Sequence, residues 1–190
     1  MVLLETIRCE TGKALHLRYH QERLNRSCAQ EGIEETFELD SLITPPKRGV
    51  YRCRFLYGSN GYKVEYHPYS PKKISSLKLI HCDDIVYPLK YTDRERLNEL
   101  FEHRGTCDDV LIIKNGYLCD TTIANIALFI GEKWVTPDLP LLEGTTRTRL
   151  IETGFLTTAG LCVDDITQAS KIAVMNAMMG FIEVENGIIT

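Results

Sequence analysis

Short turn sequences between β-rich segments recur along this chain, and they constrain its fold more than any other feature. Gly58-Ser-Asn-Gly61 separates two segments rich in aromatic residues and valine, 50–57 and 62–66. Further turns of this kind are Asn115-Gly116, Gly131-Glu132 and Asn186-Gly187. Turns this short join antiparallel strands. Helical patterns lie between them, so the sequence predicts an α+β (mixed α/β) fold with antiparallel or mixed sheets.

The helical patterns are fewer and shorter than the β-rich ones. They predict helices over 18–30 and 37–43, a third that starts at 92–95 and runs towards His103, and a fourth over 145–153. The strands expected beyond the first hairpin cover 76–81, 109–114, 123–130, 133–136 and 171–175. Thr92-Asp-Arg-Glu95 has the form of a capping box, which would open the third helix. The proline- and lysine-bearing stretch 68–73 is the expected boundary between a small lobe, 1–72, and a larger lobe, 73–190.

Composition excludes several classes of protein. Hydrophobic residues make up 44% of the 190 positions, which is enough for a core, and the net charge is −4. Basic residues are scattered, so neither nucleic acid nor a membrane is an expected partner. The seven cysteines lie far apart without a C-x-x-C pair, so neither a disulfide framework nor a metal site is expected. No signal peptide or membrane span is recognised, which predicts a cytoplasmic globular protein.

Lys90 and Asp120 are the first two candidates for chemistry. Lys90 follows Tyr87-Pro-Leu and precedes a predicted helix, so its amine could be partly desolvated and its pKa lowered towards reactivity. The alternative is an ordinary solvated lysine at a strand end. Asp120 precedes two threonines, and a buried carboxylate could keep a pyridine nitrogen protonated. The alternative is a turn aspartate that binds nearby backbone N–H groups.

Three further stretches could hold a phosphate group. Gly144-Thr-Thr-Arg147 places hydroxyls and unpaired N–H groups at a helix start, which suits a phosphate monoester. Simple N-capping by one of the threonines is the alternative. Asn176-Ala-Met-Met-Gly180 is a small-residue turn that could offer backbone donors. Arg23, on the first helix, could add a bidentate contact, unless it forms an ordinary surface ion pair.

In this linear order the chain resembles class IV aminotransferases, the fold-type IV pyridoxal phosphate (PLP) enzymes that include 4-amino-4-deoxychorismate lyase. Leu4-Glu-Thr-Ile-Arg8 and His20-Gln-Glu-Arg-Leu24 resemble the family's first strand and its "hxxRL" helix. Leu142-Glu-Gly-Thr-Thr-Arg147 resembles the phosphate segment, and Asn176-Ala-Met-Met resembles the "NALM" turn of the lyases. The resemblance implies a D-amino-acid-aminotransferase-like fold with a small N-terminal and a larger C-terminal lobe.

The resemblance also implies PLP as the cofactor. Lys90, with Arg94 four residues later, matches the segment of the Schiff-base lysine, and Asp120 stands where the family usually has the glutamate that pairs with the pyridine nitrogen. The cofactor-binding residues it implies are Arg23, Lys90, Asp120, Asn125, Thr145, Thr146, Asn176 and Ala177. The family usually works as a homodimer with its active site near the subunit interface, and the same is expected here.

Three readings of the function remain open. In the lyase reading, which belongs to folate biosynthesis, Lys90 moves a proton, pyruvate leaves and 4-aminobenzoate forms. Thr6 then lies near the departing group, unless it is an ordinary β-branched strand residue. In the transaminase reading a keto acid is released; for either substrate Arg52 or Arg54 would bind a carboxylate, and we expect them to alternate across the strand so that one faces the pocket. The third reading is an inactive remnant of the fold.

Three departures from the family pattern bear on these readings. From the resemblance, the chain is expected to start inside the family's first domain, without the strand that usually precedes it. It is short in the middle, so the small lobe is expected to be trimmed, which affects substrate binding more than cofactor binding. Asp120 replaces glutamate, and a side chain shorter by one methylene requires the ring or the strand to lie closer.

Overall fold

The computed structural model describes residues 2–189, which form two compact units. One unit runs to Pro71 and also takes in Leu89–Asp93, whereas the other holds Lys72–Pro88 and continues from Arg94. The sequence placed a boundary after residue 72 but did not predict the return of Leu89–Asp93 to the first unit. That return matters because Leu89–Asp93 contains Lys90.

The first unit is built on a four-stranded antiparallel sheet. Its elements are β1 (Leu3–Glu10), β2 (Lys13–Ala14), α1 (Leu17–Glu31), α2 (Leu39–Leu42), β3 (Val50–Gly58) and β4 (Gly61–Pro68), and the strand order is β2-β1-β3-β4. Along β1, Leu3, Ile7 and Cys9 are buried while Thr6 and Arg8 are partly exposed, which is the alternation of a strand with one core face. Leu24 of α1 packs in the same core.

The segment that carries Lys90 lies beside β1. The N–H of Leu4 donates to the carbonyl of Lys90 (2.9 Å), and the N–H of Thr92 donates to the carbonyl of Val2 (3.0 Å). The hydroxyl of Thr92 also donates to Val2 (3.0 Å). The predicted capping box is therefore wrong, because Thr92 is engaged with β1. The helix begins at Glu95 with Arg94 as its N-cap and without a side-chain cap.

The second unit holds a nine-stranded mixed sheet and three helices. Its elements are β5 (Leu77–His81), α3 (Glu95–Glu102), β6 (Asp109–Lys114), β7 (Tyr117–Thr121), β8 (Asn125–Ile130), β9 (Lys133–Pro137), α4 (Thr145–Glu152), β10 (Leu156–Ala159), α5 (Val163–Gln168), β11 (Lys171–Asn176), β12 (Gly180–Glu183) and β13 (Ile188–Ile189). The strands run in the order β10-β9-β8-β7-β6-β5-β13, and β11 pairs with β8 and β12. Three pairs, β5–β6, β5–β13 and β9–β10, are parallel. The predicted α+β class with mixed sheets is confirmed.

Of the three short turns predicted in this unit, two join antiparallel strands and the third does not. Asn115 and Gly116 have φ of 50° and 83°, and Gly131 and Glu132 have φ of 54° and 64°, so both turns have the positive φ that tight hairpins require. The Asn186-Gly187 hairpin is wrong, since β13 pairs in parallel with β5. The N–H of Asn186 donates to Ser75 (2.8 Å), which carries the chain along β5 instead of back onto β12.

Sequence patterns missed strand β7. This omission matters most for the candidate site, because β7 contains Asp120. Its burial is nearly continuous from Leu118 to Thr121, so it lacks the alternation that predicts a strand. Strand β10 and helix α5 were missed as well, and both are short. None of the helices within residues 2–189 has the combination of length and apolar character needed to cross a membrane.

Candidate active site

Three polar residues meet inside the first unit. Glu5 lies on the core face of β1, and His20 and Arg23 lie three residues apart on the inner face of α1. The Nε of Arg23 donates to Oε1 of Glu5 (2.8 Å), and its Nη2 donates to Oε2 (2.6 Å). The Nδ1 of His20 is 2.6 Å from the same Oε2. All three side chains are buried, so Glu5 accepts three hydrogen bonds away from water.

The charges in this cluster are set by burial and by each other. Burial alone would raise the pKa of Glu5, but the Arg23 guanidinium and the His20 hydrogen bond outweigh it and lower that pKa to about 2. Burial lowers the pKa of His20, and the positive charges of Arg23 and Lys90 act in the same direction against the pull of Glu5. We therefore assign a neutral His20 whose Nδ1–H donates to an ionised Glu5.

The environment of Arg23 differs from the surface ion pair that the sequence left open as the alternative. Arg23 forms an ion pair, but a buried and bidentate one, and not the surface pair considered as the alternative. Sequence reasoning singled out neither Glu5 nor His20 as functional. The available signal was polar residues at positions of the apolar face, Glu5 between Leu3 and Ile7 in β1 and His20 four before Leu24 in α1. Lys90 is half-buried, and its charge acts on this cluster through His20.

The opposite face of the same sheet carries Thr6, Arg52 and Arg54. Thr6 pairs directly with Arg54 across β1 and β3, and Cys53, between the two arginines, points into the core. The expectation that only one arginine could face a given side is wrong, because residues two apart in a strand share a face. Arg54 donates through Nη1 to Glu65 (2.9 Å). Arg52 is exposed and forms neither an ion pair nor a hydrogen bond with residues 2–189.

In the second unit, Asp120 of β7 stands opposite Asn125 of β8. The Nδ2 of Asn125 donates to Oδ1 of Asp120 (2.8 Å) and to the carbonyl of Leu142 (2.8 Å). The N–H of Leu142 donates to Oδ2 of Asp120 (2.9 Å). Burial raises the pKa of Asp120 to about 6, although Asn125, the Leu142 N–H and the charge of Arg147 oppose that rise. Sequence reasoning missed Leu142, whose contribution is a backbone group that no residue pattern reveals.

Helix α4 begins directly after this cluster. Gly144 is its N-cap, and no side chain caps it. Capping by Thr145 or Thr146, the alternative left open by the sequence, is therefore wrong; both threonines are buried in the first turn. A Cβ on residue 144 would lie 2.0 Å from Oδ1 of Asn125, so only glycine fits there. Arg147 donates through Nη2 to the carbonyl of Pro137 (2.8 Å), while its buried Nε has no partner among the described residues.

In the turn after β11, the side chain of Asn176 forms hydrogen bonds with nearby backbone groups. Oδ1 of Asn176 accepts from the N–H groups of Met178 and Met179, both at 2.9 Å, and its Nδ2 donates to the carbonyl of Ile123 (3.1 Å). The side chain therefore fixes the turn, and two of the backbone donors expected for a ligand are occupied. Ala177 lies half-buried within that turn.

A buried chain of polar groups runs through Arg94, Thr122 and Asp109. Nη2 of Arg94 donates to the carbonyl of Thr122 (2.9 Å), and the hydroxyl of Thr122 donates to Oδ1 of Asp109 (2.8 Å). Oδ2 of Asp109 is buried without a partner in the described chain. Burial raises the pKa of Asp109, so its carboxyl is held closer to the neutral form than an exposed aspartate.

The residues present fit PLP. Asp120 is a buried carboxylate that forms no salt bridge with residues 2–189, so a protonated ring nitrogen would supply the missing cation. The first turn of α4 has no side-chain cap, and its N–H groups and dipole favour a phosphate. Lys90 is a half-buried lysine whose carbonyl is fixed by β1. An acid, an anion cradle and an amine are the groups this cofactor needs.

Several known proteins are similar to this chain. The family described as Amino-transferase class IV matches residues 89–186. An uncharacterized protein of Haemophilus influenzae is 39% identical over 94% of this chain and 98% of its own length. A candidate 4-amino-4-deoxychorismate lyase of known structure from Haemophilus somnus is 34% identical, with a TM-score of 0.89, over 94% of this chain and 97% of its own.

A second solved structure, a candidate amino-acid aminotransferase from Mesorhizobium loti, is 25% identical with a TM-score of 0.82. The match covers 99% of both chains. The fold, the residues matched by the family and the identity to these relatives lead to one assignment. This chain belongs to the class IV aminotransferase family, is an enzyme of that family, and has pyridoxal phosphate as its cofactor.

Proposed function

We propose that this enzyme is a 4-amino-4-deoxychorismate lyase, which releases pyruvate and 4-aminobenzoate from its substrate. The observation that carries the proposal is the likeness to the candidate lyase from Haemophilus somnus, which extends over 97% of that chain. The "NALM"-like turn at Asn176 and a threonine at position 6 support the same reaction. The third reading, an inactive remnant, is set aside because the chain belongs to a family of enzymes.

In this proposal the lysine, the aspartate and the phosphate-binding residues have separate chemical tasks. Lys90 holds the cofactor through its amine and, once free, moves the proton at the amino-bearing carbon of the substrate. When bound, PLP supplies the electron sink for that proton transfer. Asp120 would hold a proton on the ring nitrogen. The first turn of α4, where Thr145 and Thr146 lie, would hold the phosphate, and the family resemblance assigns Arg23 to the same group.

The remaining predicted residues have supporting roles in the proposal. Asn125 holds Asp120 through the 2.8 Å bond to its Oδ1. Asn176 shapes the turn in which Ala177 offers its backbone to the cofactor. Thr6 stands near the departing pyruvate. Arg52 and Arg54 bind substrate carboxylates, and Arg52 is the better placed of the two because Glu65 already neutralises Arg54.

A class IV transaminase is the second candidate. It is supported by the likeness to the candidate aminotransferase from Mesorhizobium loti, which covers 99% of both chains. A transaminase needs the same lysine, acid and phosphate site, since the two reactions diverge after the first proton transfer. The two functions are therefore distinguished by testing which substrate the enzyme converts.

Two assays on the purified protein with added PLP test the proposal. Borohydride should attach the cofactor covalently to residue 90 in the wild type and in Lys133→Ala, an exposed lysine of β9, but not in Lys90→Ala. With 4-amino-4-deoxychorismate, the wild type should form pyruvate and 4-aminobenzoate in equal amounts. Conversion of PLP to pyridoxamine phosphate by amino acids, without 4-aminobenzoate, would establish the transaminase instead.

We also propose that the enzyme works as a homodimer in the cytoplasm. A chain of 190 residues split into two units gains by covering apolar surface with a second copy. All seven cysteines are free thiols, which suits a reducing compartment. Light scattering of the PLP-loaded protein should give twice the mass of one chain, and a single-chain mass would refute the dimer.

A further inference from the structure

Both carboxylate oxygens of Asp120 are used by its surroundings. Oδ2 accepts the N–H of Leu142, and Oδ1 accepts the amide of Asn125, which itself donates to the carbonyl of Leu142. Residues 142–144, here called the lead-in segment, connect directly to α4. Asp120 and Asn125 therefore hydrogen-bond to the N–H and the carbonyl of Leu142, which lies two residues before the helix N-cap.

Asn125 also touches the end of the lead-in segment. Its Oδ1 comes so close to Gly144 that a Cβ there would be only 2.0 Å away. This contact leaves the backbone at Gly144 little freedom to move towards β8. Since Gly144 is the N-cap, the position of the first N–H groups of α4 depends on where Asn125 stands.

We propose that Asp120 and Asn125 are positioning residues for the phosphate cradle: together they latch the lead-in segment and so fix the N-terminus of α4. The inference rests on the proposed function, because it takes the first turn of α4 as the phosphate site. It adds to the role of Asp120 at the ring nitrogen. The Asp120 carboxylate would then act on the ring nitrogen directly and on the phosphate indirectly, through the position of α4.

The latch gives a physical reason for aspartate where the family usually has glutamate. Asp120 is 4% exposed and stands opposite Asn125 in the strand register, so its short side chain reaches both Asn125 and the Leu142 N–H. A glutamate would carry its carboxylate one methylene further, and in this packed position it could not keep both bonds. Asparagine is also a poor substitute, because both partners of Asp120 are donors and an amide offers one acceptor.

The latch is tested first on the cofactor-free protein by hydrogen exchange of backbone amides. In Asp120→Asn and in Asn125→Asp, the Leu142 N–H and the first amides of α4 should exchange about tenfold faster or more, as expected when a buried charged hydrogen bond is lost. Amides of β5, which pairs with β6 and β13 and not with β7 or β8, should keep their wild-type rates. Asn98→Asp, on the exposed side of α3, is the matched control and should leave the lead-in segment unchanged.

The purpose of the latch is tested by comparing PLP with pyridoxal, which lacks the phosphate. A residue that acts only on the ring lowers both affinities by the same factor and leaves their ratio unchanged. The latch predicts that the preference for PLP falls about tenfold in Asp120→Asn and Asn125→Asp. Gly144→Ala places a Cβ against Oδ1 of Asn125 and should lower the same ratio without changing the carboxylate of Asp120, so it also covers the case in which Asp120→Asn does not fold.

The outcomes separate the latch from the proposed function. If the wild type does not bind PLP through Lys90, the proposed function fails, and the latch is then tested with inorganic phosphate by NMR of the Thr145 and Thr146 amides. Phosphate shifts in the wild type that are weakened in Asn125→Asp and Gly144→Ala support the latch. Unchanged exchange rates, or an unchanged PLP-to-pyridoxal ratio in all three variants, overturn it.

Discussion

Arg23 donates to both carboxylate oxygens of Glu5, at 2.8 Å through Nε and at 2.6 Å through Nη2, inside the core of the first unit. The arginine that the family resemblance assigns to the phosphate is thus already paired with a carboxylate and held rigid by it. A bidentate pair fixes the plane of the guanidinium as well as its position. Glu5 consequently belongs to any account of how Arg23 works.

Replacing Glu5 with glutamine should destabilise the protein strongly. The change leaves Arg23 buried without its counter-charge, and breaking such a pair costs about 3–5 kcal/mol. Urea denaturation followed by circular dichroism measures the loss. Glu99→Gln, which removes one partner of an exposed pair with Arg96, is the control and should cost less than about 1 kcal/mol. Equal losses in the two variants would show that the Glu5 pair has no special weight.

The same pair predicts a loss of stability in acid. The pKa of Glu5 is lowered in the folded state from 4.5 to about 2, so its contribution is fully present above pH 4.5 and fades as the pH falls towards 2. A shift of this size corresponds to about 3 kcal/mol. The stability advantage of the wild type over Glu5→Gln should shrink across this window. A constant advantage between pH 5 and pH 2 would contradict the prediction.

Asp120 should titrate in the opposite sense. Its pKa is raised from 3.8 to about 6, so the folded state holds a proton that the unfolded chain has lost between these values. By linkage, Asp120 makes folding less favourable as the pH rises through this window, by about 3 kcal/mol in total. The carboxyl carbon, followed by NMR, should give a midpoint near the raised value. Bound PLP should lower that midpoint, because a protonated ring nitrogen favours the ionised carboxylate; an unmoved midpoint would place the ring elsewhere.

Arg52 and Arg54 share a face but should differ in their effect on substrate binding. Arg52 is without a partner among the described residues, whereas Arg54 is neutralised by Glu65 at 2.9 Å. Arg52→Gln should raise KM about tenfold with little change in kcat, as for the loss of one charge-assisted hydrogen bond. Arg54→Gln should have the smaller effect. Arg48→Gln, at an exposed position before β3, is the control; a reversed order of the first two variants would reject this assignment.

The sequence predicted much of the fold because its signals are local. Asn115-Gly116 and Gly131-Glu132 both form hairpin turns here, because residues that adopt positive φ favour a tight turn locally. Helix α1 was placed within one residue at each end by its apolar spacing and by Gly32. The predictions failed where long-range partners decide. Thr92 donates hydrogen bonds to the carbonyl of Val2 and therefore does not cap a helix. The segment after Asn186-Gly187 pairs with β5 and so does not form a hairpin.

For the candidate site, too, local sequence and long-range packing determine different properties. The sequence by itself determined which reactive groups are present, Lys90, Asp120 and Gly144-Thr-Thr-Arg147, and their linear order supported the family and its cofactor. Tertiary structure decided the environment of each group. It buried Glu5 against Arg23, eighteen residues apart, and brought the backbone of Leu142 to Asp120, twenty-two residues away. Burial and hydrogen bonds of this range arise only when strands and helices pack, and they set the pKa and position of the Glu5 and Asp120 carboxyl groups.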